Sequence, residues 1–337
     1  MEHAPEPCAE GIAVVIPTHS RSYLLPRLFA GLEAQLGSLT FEVVVVDDAS
    51  TDETPDVLER LVAQSSLAVR IIRQPRNRGP ATARNLGWRS TTANVIAFTD
   101  DDCTPEAGWL QGLVDGLSGA DIAQGRTVAD PDELDQTGPF SRVLVIGHED
   151  GFYQTCNIAY RRQVLESVDG FDEAFRFPAG EDTDLAWRAR AGGARTVFQP
   201  DAVVRHTVRP SNLLVALRDT WRWQSAPQAI SRHPELRSLI YRPYIWKPAH
   251  LLLLVALPGI VLAVAAPWFG SWTAAAVSWA AALALVAPYA WHRVRRERLP
   301  QTNNVTRVLL LPAAFLLDAA EVLACVVGSA RYRTLLV

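Results

Sequence analysis

The chain has 337 residues, 49% of them hydrophobic and 20% charged, and a formal net charge of −4. That length allows two domains, the apolar share exceeds that of an ordinary soluble enzyme, and so small a net charge argues against a nucleic-acid partner. Residues 1–10 carry Glu, His and Pro but no apolar run, so no cleaved signal peptide is expected and the first domain is expected to stay in the cytoplasm. The four cysteines, Cys8, Cys103, Cys156 and Cys325, show no Cys-x-x-Cys spacing. That fits a reducing compartment and argues against a zinc site or a disulfide framework.

Residues 11–16 are apolar on both faces, as in a parallel sheet covered by helices, and Pro17 is expected to stop the strand. Leu24, Leu25, Leu28, Phe29 and Leu32 then recur at helical spacing. A second buried strand, residues 41–46, ends in Asp47 and Asp48. Ser50 and Glu53 have capping-box spacing and are expected to open a helix through Leu61. A third strand is predicted at 69–73, followed by a Gly/Pro loop from Arg76 that runs into a helix through Trp88. Residues 95–98 form a fourth strand that stops at three aspartates, Asp100, Asp101 and Asp102. Adjacent carboxylates repel, and a hard divalent cation such as Mg²⁺ or Mn²⁺ relieves the repulsion; a solvated acidic turn is the alternative.

Alternating strands and helices imply a doubly wound α/β layer, in which ligands gather beyond the carboxyl ends of the strands. Thr18, Asp48 and the aspartate triplet sit at such ends, and the loop from Arg76 to Arg84 can face the same edge. Carboxylates beside arginines there suggest a nucleotide-diphosphate site with its metal. Arg84 has an equally simple structural use, a salt bridge to a neighbouring aspartate. Neither a Gly-x-Gly-x-x-Gly fingerprint nor a P-loop is present, so metal and arginine must neutralise the phosphates.

Further on, a helix is predicted at 109–117, a strand at 121–128, a polar loop at 129–139, and a strand passing into a helix from Thr155. Gly180 precedes a second acidic cluster, Glu181, Asp182 and Asp184, at the start of a helix that carries Trp187. The helix dipole favours acids there, but a carboxylate beside a metal site can also accept a proton from a substrate hydroxyl. His206 ends another short strand, and it matters to the chemistry only if it completes the metal shell.

Together these segments resemble glycosyltransferase family 2, the inverting enzymes of the GT-A fold. The matching segments are Val14-Val15-Ile16-Pro17-Thr18, residues 45–52 (VVDDASTD), 83–87 (ARNLG), 98–103 (FTDDDC), 156–162 (CNIAYRR), 170–173 (GFDE) and 180–185 (GEDTDL). The resemblance spans roughly residues 11–210. It implies an α/β GT-A domain, Rossmann-like with a mixed, mostly parallel sheet. By the same resemblance, Pro17 and Thr18 lie against the nucleoside, Asp48 bonds the base (usually uracil), and Arg21, Gly79, Arg84, Asp100 and Asp101 order the nucleotide-sugar. Asp102 is then the direct metal ligand, Asp100 a supporting ligand, His206 a possible third in some members, and Asp182 the general base. Glu181 and Trp187 fall on the acceptor side. Processive members carry Gln-x-x-Arg-Trp after the catalytic domain. Here residues 220–224 read TWRWQ instead, so one sugar per event is expected.

From Pro248 to His292 there is no Asp, Glu, Lys or Arg. About twenty apolar residues cross a bilayer, so 249–269 and 272–291 are read as two transmembrane helices flanked by Trp246, Trp268, Trp272 and Trp291. Arg293, Arg295, Arg296 and Arg298 mark the following loop as cytoplasmic, which keeps the catalytic domain on the cytoplasmic face of the plasma membrane. Residues 308–328 are a third candidate, whose Asp318 and Glu321 need partners in a bundle; an interfacial helix is the alternative. Residues 211–247 link the halves as amphipathic, interfacial helices, or as a helix closing the catalytic core. The implied activity is metal-dependent transfer from a nucleotide-diphosphate sugar, of the UDP type, to a lipid-linked or cell-envelope glycan. A polyprenyl-phosphate glycosyl synthase, a non-catalytic membrane scaffold and a metal-dependent phosphohydrolase remain the alternatives.

Overall fold

The doubly apolar runs become the centre of one mixed sheet. In the computed structural model, which describes residues 11–37, 39–175, 179–296 and 303–337, β1 (Ile12–Thr18), β2 (Phe41–Asp47), β3 (Ala68–Arg73) and β4 (Val95–Thr99) run parallel. β5 (Cys103–Pro105), β6 (Ile122–Ala129), β7 (Asn157–Arg161) and β8 (Thr196–His206) complete it in the order β3-β2-β1-β4-β7-β6-β8-β5. β7 is antiparallel to both β4 and β6, β6 is parallel to β8, and β5 is antiparallel to β8. Alternate side chains of β1 feed two cores. Ile12, Val14 and Ile16 pack against α1 (Leu25–Glu33), α2 (Thr54–Gln64) and α4 (Trp109–Leu117). Ala13 and Val15 pack with α3 (Pro80–Arg89), α5 (Arg162–Ser167) and α6 (Glu181–Ala191). These elements belong to one unit, residues 11–134 with 143–208; residues 135–142 and 209–337 form a second.

Several local expectations need correction. β1 does not stop before Pro17 but continues to Thr18. Its pairing with β4 ends at Val15, so at Pro17 only the β2 neighbour, Val46, remains, and the missing N–H is not needed on the other side. Ser50 does not cap α2, which starts at Thr54 with Glu53 in the cap position and no side-chain cap. The Ser50 hydroxyl accepts from Ser20 N instead, 2.8 Å. β8 is an eleven-residue strand rather than a short one, and β5 was not expected at all. The loop after residue 129 contains a 3-10 turn, Pro131–Gln136.

In the second unit, α7 (Leu213–Thr220) and α8 (Ala226–Arg232) precede α9 (Pro248–Ala265), α10 (Trp272–Arg296), α11 (Asn304–Leu309) and α12 (Leu311–Tyr332). Among the described residues three helices are long and apolar enough to cross a membrane: Pro248–Trp268, Trp272–Arg295 and Leu311–Tyr332. α9 and α10 touch closely at Gly259, where a Cβ would lie 2.8 Å from Leu285 Cβ. The two acids of α12 have partners. Asp318 accepts from Tyr289 Oη (2.7 Å) and Arg293 Nε (2.8 Å), and Glu321 accepts from Lys247 Nζ (2.7 Å). Residues 1–10 and Arg298 lie outside the described residues.

Candidate active site

The parallel register brings the carboxyl ends of β1, β2 and β4 to one edge, with Thr18 opposite Asp47. The loops after β1 and β2 are cross-tied there. Ser20 N donates to Ser50 Oγ (2.8 Å), Thr51 N to Ser20 Oγ (3.1 Å), Arg21 N to Thr54 Oγ1 (3.2 Å) and Ser22 N to Asp52 Oδ2 (3.2 Å). Pro17 is half-buried within this edge. Asp48 is buried and its carboxylate is engaged by the next loop: Oδ1 accepts from Gln74 Nε2 and Arg78 N, both 2.8 Å, and Oδ2 from Gly79 N, 2.7 Å. Gly79 has φ +89°, a left-handed value that a side chain would strain, and it leads directly into α3. The resemblance assigns Asp48 to the base; in the structure its carboxylate holds the loop at Gln74, Arg78 and Gly79. Gln74, its partner, carried no signal in the sequence.

The three aspartates part company. Asp101 is buried, accepting from Thr18 Oγ1 (2.8 Å) and Arg21 Nη1 (2.6 Å). Burial pushes its carboxyl up to about 6, Arg21 opposing and Asp102 adding to the rise. Burial works against the Arg21 charge too, but Asp101 and then Asp102 outweigh it and the guanidinium is held on. Asp100 accepts from Arg84 Nη2 at 2.7 Å, and Arg84 Nη1 reaches Glu181 Oε1 at 3.3 Å. Buried Arg84 therefore bridges the end of β4 and the start of α6, the salt bridge its sequence context allowed.

Asp102 shares Arg21, its Oδ2 accepting from Nη1 at 3.3 Å, and brings its other oxygen to a second partner. The pairing of Cys103 with His206 between β5 and β8 sets Asp102 Oδ1 3.5 Å from His206 Nε2. Asp102, Cys103 and His206 thus form a group whose potential ligand atoms lie within 4.8 Å of one another. Asp100 is not part of it. His206 Nδ1 donates to Thr207 O at 2.9 Å, so in the neutral ring the Nε2 lone pair faces the Asp102 carboxylate. Two acceptors turned on each other, one a hard oxygen and one an imidazole nitrogen, fit a divalent cation such as Mn²⁺. The Cys103 thiol is held well above its usual value by burial, then by Cys156 and Asp102, and stays neutral.

α6 supplies the opposite set of carboxyls. Gly180, at φ +95°, lets the chain turn into the helix. Asp182 is half-buried, with Oδ1 accepting from Thr183 N at 2.8 Å. Burial raises its carboxyl above the usual range, and the Thr183 N–H and Arg84 oppose the rise. Glu181 is buried against Arg84 and pushed up to about 8, first by burial and then by Asp182. Asp184 is fully buried and structural: it accepts from Arg188 Nε (2.8 Å), whose other nitrogens bind Val168 O and Gly170 O. Trp187 donates its indole N–H to Gly151 O at 3.0 Å, under the Arg190 guanidinium. Thr183 Oγ1 donates to Phe152 O at 2.8 Å. Thr183 and Trp187 therefore tie the 151–153 loop to the helix that carries Asp182.

Residues 13–169 match the family described as Glycosyl transferase family 2. The pre-mycofactocin glycosyltransferase of Mycobacterium tuberculosis is 30% identical over 247 residues, 68% of this chain and 49% of that protein. The succinoglycan biosynthesis protein ExoO of Rhizobium meliloti is 30% identical over 226 residues, 61% of this chain and 63% of that one. The chain spans about half the length of the first relative and under two thirds of the second. Among solved structures, a mannosyltransferase from Pyrobaculum calidifontis in complex with GDP-Man and Mn²⁺ superposes with a TM-score of 0.61 at 25% identity, covering 94% of this chain and 88% of that one. TarS of S. aureus in complex with UDP-GlcNAc shares the fold, with a TM-score of 0.52 at 18% identity, covering 96% and 92%. Residues 13–169, which carry the strand-end aspartates, thus form a glycosyltransferase family 2 domain.

Proposed function

We propose that this chain is a membrane-anchored, metal-dependent, inverting glycosyltransferase. It moves one sugar from a nucleotide-diphosphate sugar to a hydroxyl of a lipid-linked or cell-envelope glycan. The observation that carries the reading is the meeting of Asp102 with His206 at the strand ends, in the same unit as a half-buried Asp182 at the start of α6. The similar mannosyltransferase was solved with GDP-Man and Mn²⁺, which supports a nucleotide-sugar donor and a divalent cation.

Asp102 and His206 would hold the cation, which would supply positive charge against the departing diphosphate. Pro17, Thr18 and the loop that Asp48 holds at Gly79 border the nucleoside. Arg21, fixed by Asp101 and Asp102, and Arg84, fixed by Asp100 and Glu181, keep two cationic side chains beside the donor. Asp182 takes the proton of the acceptor hydroxyl as that oxygen bonds to the anomeric carbon. The bond from that carbon to the diphosphate breaks, its electron pair leaves with the diphosphate, and attack from the opposite face inverts the configuration. Raised by burial yet ionisable, Asp182 suits a base. The apolar helices keep the protein on the membrane on which the acceptor lies.

The test is a panel of UDP- and GDP-sugars given to membranes holding the full chain, with Mn²⁺ or with chelator. We expect acceptor-dependent release of a nucleoside diphosphate, a lipid-extractable sugar product, and loss of both with chelator. Release of inorganic phosphate without acceptor indicates a phosphohydrolase. Absence of Mn²⁺-dependent donor binding indicates a scaffold.

A further inference from the structure

The loop from Glu149 to Gln154 closes on itself and then on the helix of the candidate base. Asp150 Oδ1 accepts from Phe152 N (2.9 Å) and its Oδ2 from Gln154 Nε2 (2.7 Å). Glu149 Oε1 accepts from Tyr153 Oη and from Thr196 Oγ1, both at 2.7 Å. Gly151 has φ +79° and Tyr153 φ +52°. A left-handed backbone is unfavourable for so large a side chain and persists only where the surroundings hold it. Here the Tyr153 ring is buried and its hydroxyl is engaged. Two other non-glycine residues with such a backbone, Ser20 (φ +51°) and Ala49 (φ +59°), follow β1 and β2 at the strand-end edge described above.

α6 holds this loop from its first two turns. Thr183 Oγ1 donates to Phe152 O (2.8 Å) and, one turn on, Trp187 Nε1 donates to Gly151 O (3.0 Å). Positions four apart share a helix face, so one face of α6 binds two consecutive carbonyls of the loop. Thr183 also reaches the candidate base. Its N–H donates to Asp182 Oδ1 at 2.8 Å, and its hydroxyl oxygen lies 3.5 Å from the same atom. The loop carbonyl and the base carboxylate thus have one residue as common neighbour. Asp182 Oδ2 makes no hydrogen bond among the described residues and is the oxygen left to take a proton. Phe152 and Trp187, both half-buried, add aromatic surface to this contact, the lining on which an uncharged ligand face packs.

We propose that Thr183 is a positioning residue and that, through it, residues 150–153 form the acceptor wall of the cleft, the surface that seats a sugar hydroxyl at Asp182 and keeps water from it. Resting on the function proposed above, with Asp182 as base, this gives Thr183 two tasks. Its N–H sets the base, its hydroxyl sets the wall, and the two stay in one register. Where the wall is loose, water takes the acceptor's place. The water oxygen then bonds to the anomeric carbon, Asp182 takes its proton, the bond to the diphosphate breaks, and free sugar and nucleoside diphosphate leave.

The full chain in detergent is given the donor that the panel above selects, with and without a lipid extract of the same membranes as acceptor. Sugar transferred to lipid and free sugar released are measured together. Thr183→Val keeps the N–H and the side-chain shape but loses the hydroxyl. It is expected to lower the ratio of transfer to hydrolysis about tenfold, and to raise the half-saturating amount of extract by a similar factor, the loss of one buried hydrogen bond. Thr183→Ser restores both quantities. Trp187→Phe, which releases Gly151 O, moves them in the same direction as Thr183→Val. Mn²⁺-dependent donor binding reports folding and stays at the wild-type level in each variant. A wild-type ratio in both Thr183→Val and Trp187→Phe overturns the proposal. Lost donor binding, or an equal fall of transfer and hydrolysis that Thr183→Ser does not rescue, marks a purely structural role and overturns it as well. With transfer by the wild type in hand, these outcomes leave the glycosyltransferase reading standing. Absence of a lipid product from the wild type sinks that reading and the acceptor wall with it.

Discussion

At the scale of single residues, the aspartate triplet divides into three jobs set by what each carboxylate meets. Asp100 faces Arg84, Asp101 faces Thr18 and Arg21, and Asp102 faces His206. Replacing Asp102 by Asn, or His206 by Ala, is therefore expected to lower Mn²⁺-supported turnover by at least about a hundredfold, since even outer-shell partners of metal sites cost 10–100-fold. Calorimetry of Mn²⁺ binding in the presence of nucleoside diphosphate checks this; unchanged affinity in both variants removes the assignment. Asp182→Asn should lower turnover about a thousandfold while donor binding persists, the scale of a lost general base. The acid limb has a defined sign. Asp182 acts ionised, and burial raises its folded-state pKa, so activity is present above that raised value and falls about tenfold per unit as pH drops through it. The kcat/KM profile of Asp182→Glu should move the limb; an unmoved limb means that another group titrates. The residue types of this site were legible in the sequence, yet their grouping came only from the family resemblance. Asp102 and His206 are over a hundred positions apart, and nothing in their spacing predicts the 3.5 Å approach that β5 creates.

At the scale of elements, long apolar runs declared themselves and short or borrowed structure did not. β1, β2, β3, β4 and the helices between them follow from period and burial, because each is long enough to carry its own pattern. β5 has three residues, too few for any periodicity, and exists only because β8 offers an edge. The capping box at Ser50 failed for a related reason: the hydroxyl that local spacing assigns to α2 is claimed by Ser20 from a distant loop. α3 gives an element-scale test. A Cβ on Gly87 would lie 2.4 Å from Val15 Cγ1 and 3.3 Å from Val46 Cγ2, so the helix rests directly on β1 and β2. Gly87→Ala must push α3 outward, carrying Arg84 with it. We expect a loss of about 1–3 kcal/mol, the usual range for overpacking, read as an earlier denaturant midpoint. A neutral substitution would show that α3 slides without resistance.

At the scale of the whole molecule, composition alone cannot distinguish a span from a helix that lies across the end of a hairpin. α12 has the length and hydropathy of a third crossing, 22 residues and about 33 Å. Its contacts point to one end of the α9–α10 pair. Phe315 meets Tyr289 edge-on, Asp318 meets Arg293 near the end of α10, and Glu321 meets Lys247 just before α9. Farther along, Gly328 rests on Gln224, where a Cβ would lie 2.3 Å from the carbonyl oxygen, and Arg331 Nη1 reaches Gln224 Oε1 at 3.3 Å. Trp246 N then donates to Val337 O (2.8 Å) and Val337 N to Tyr244 O (2.9 Å). A helix crossing the bilayer beside α9 would carry residues 328–337 to the far end of the hairpin, some 25–30 Å from the stretch before α9 that they touch. From this packing we expect two crossings, with α12 lying across the side where α9 begins. It also explains how Asp318 and Glu321 escape the cost of a bilayer interior, since Lys247 and Arg293 sit at that same end. Single cysteines at the exposed positions Leu309, Leu335 and Trp268, in sealed vesicles with a membrane-impermeant maleimide, decide the matter. Leu309→Cys and Leu335→Cys should react from the same side and Trp268→Cys from the other. Labelling of positions 309 and 335 from opposite sides would make α12 a true third span and its polar contacts a bundle-interior network.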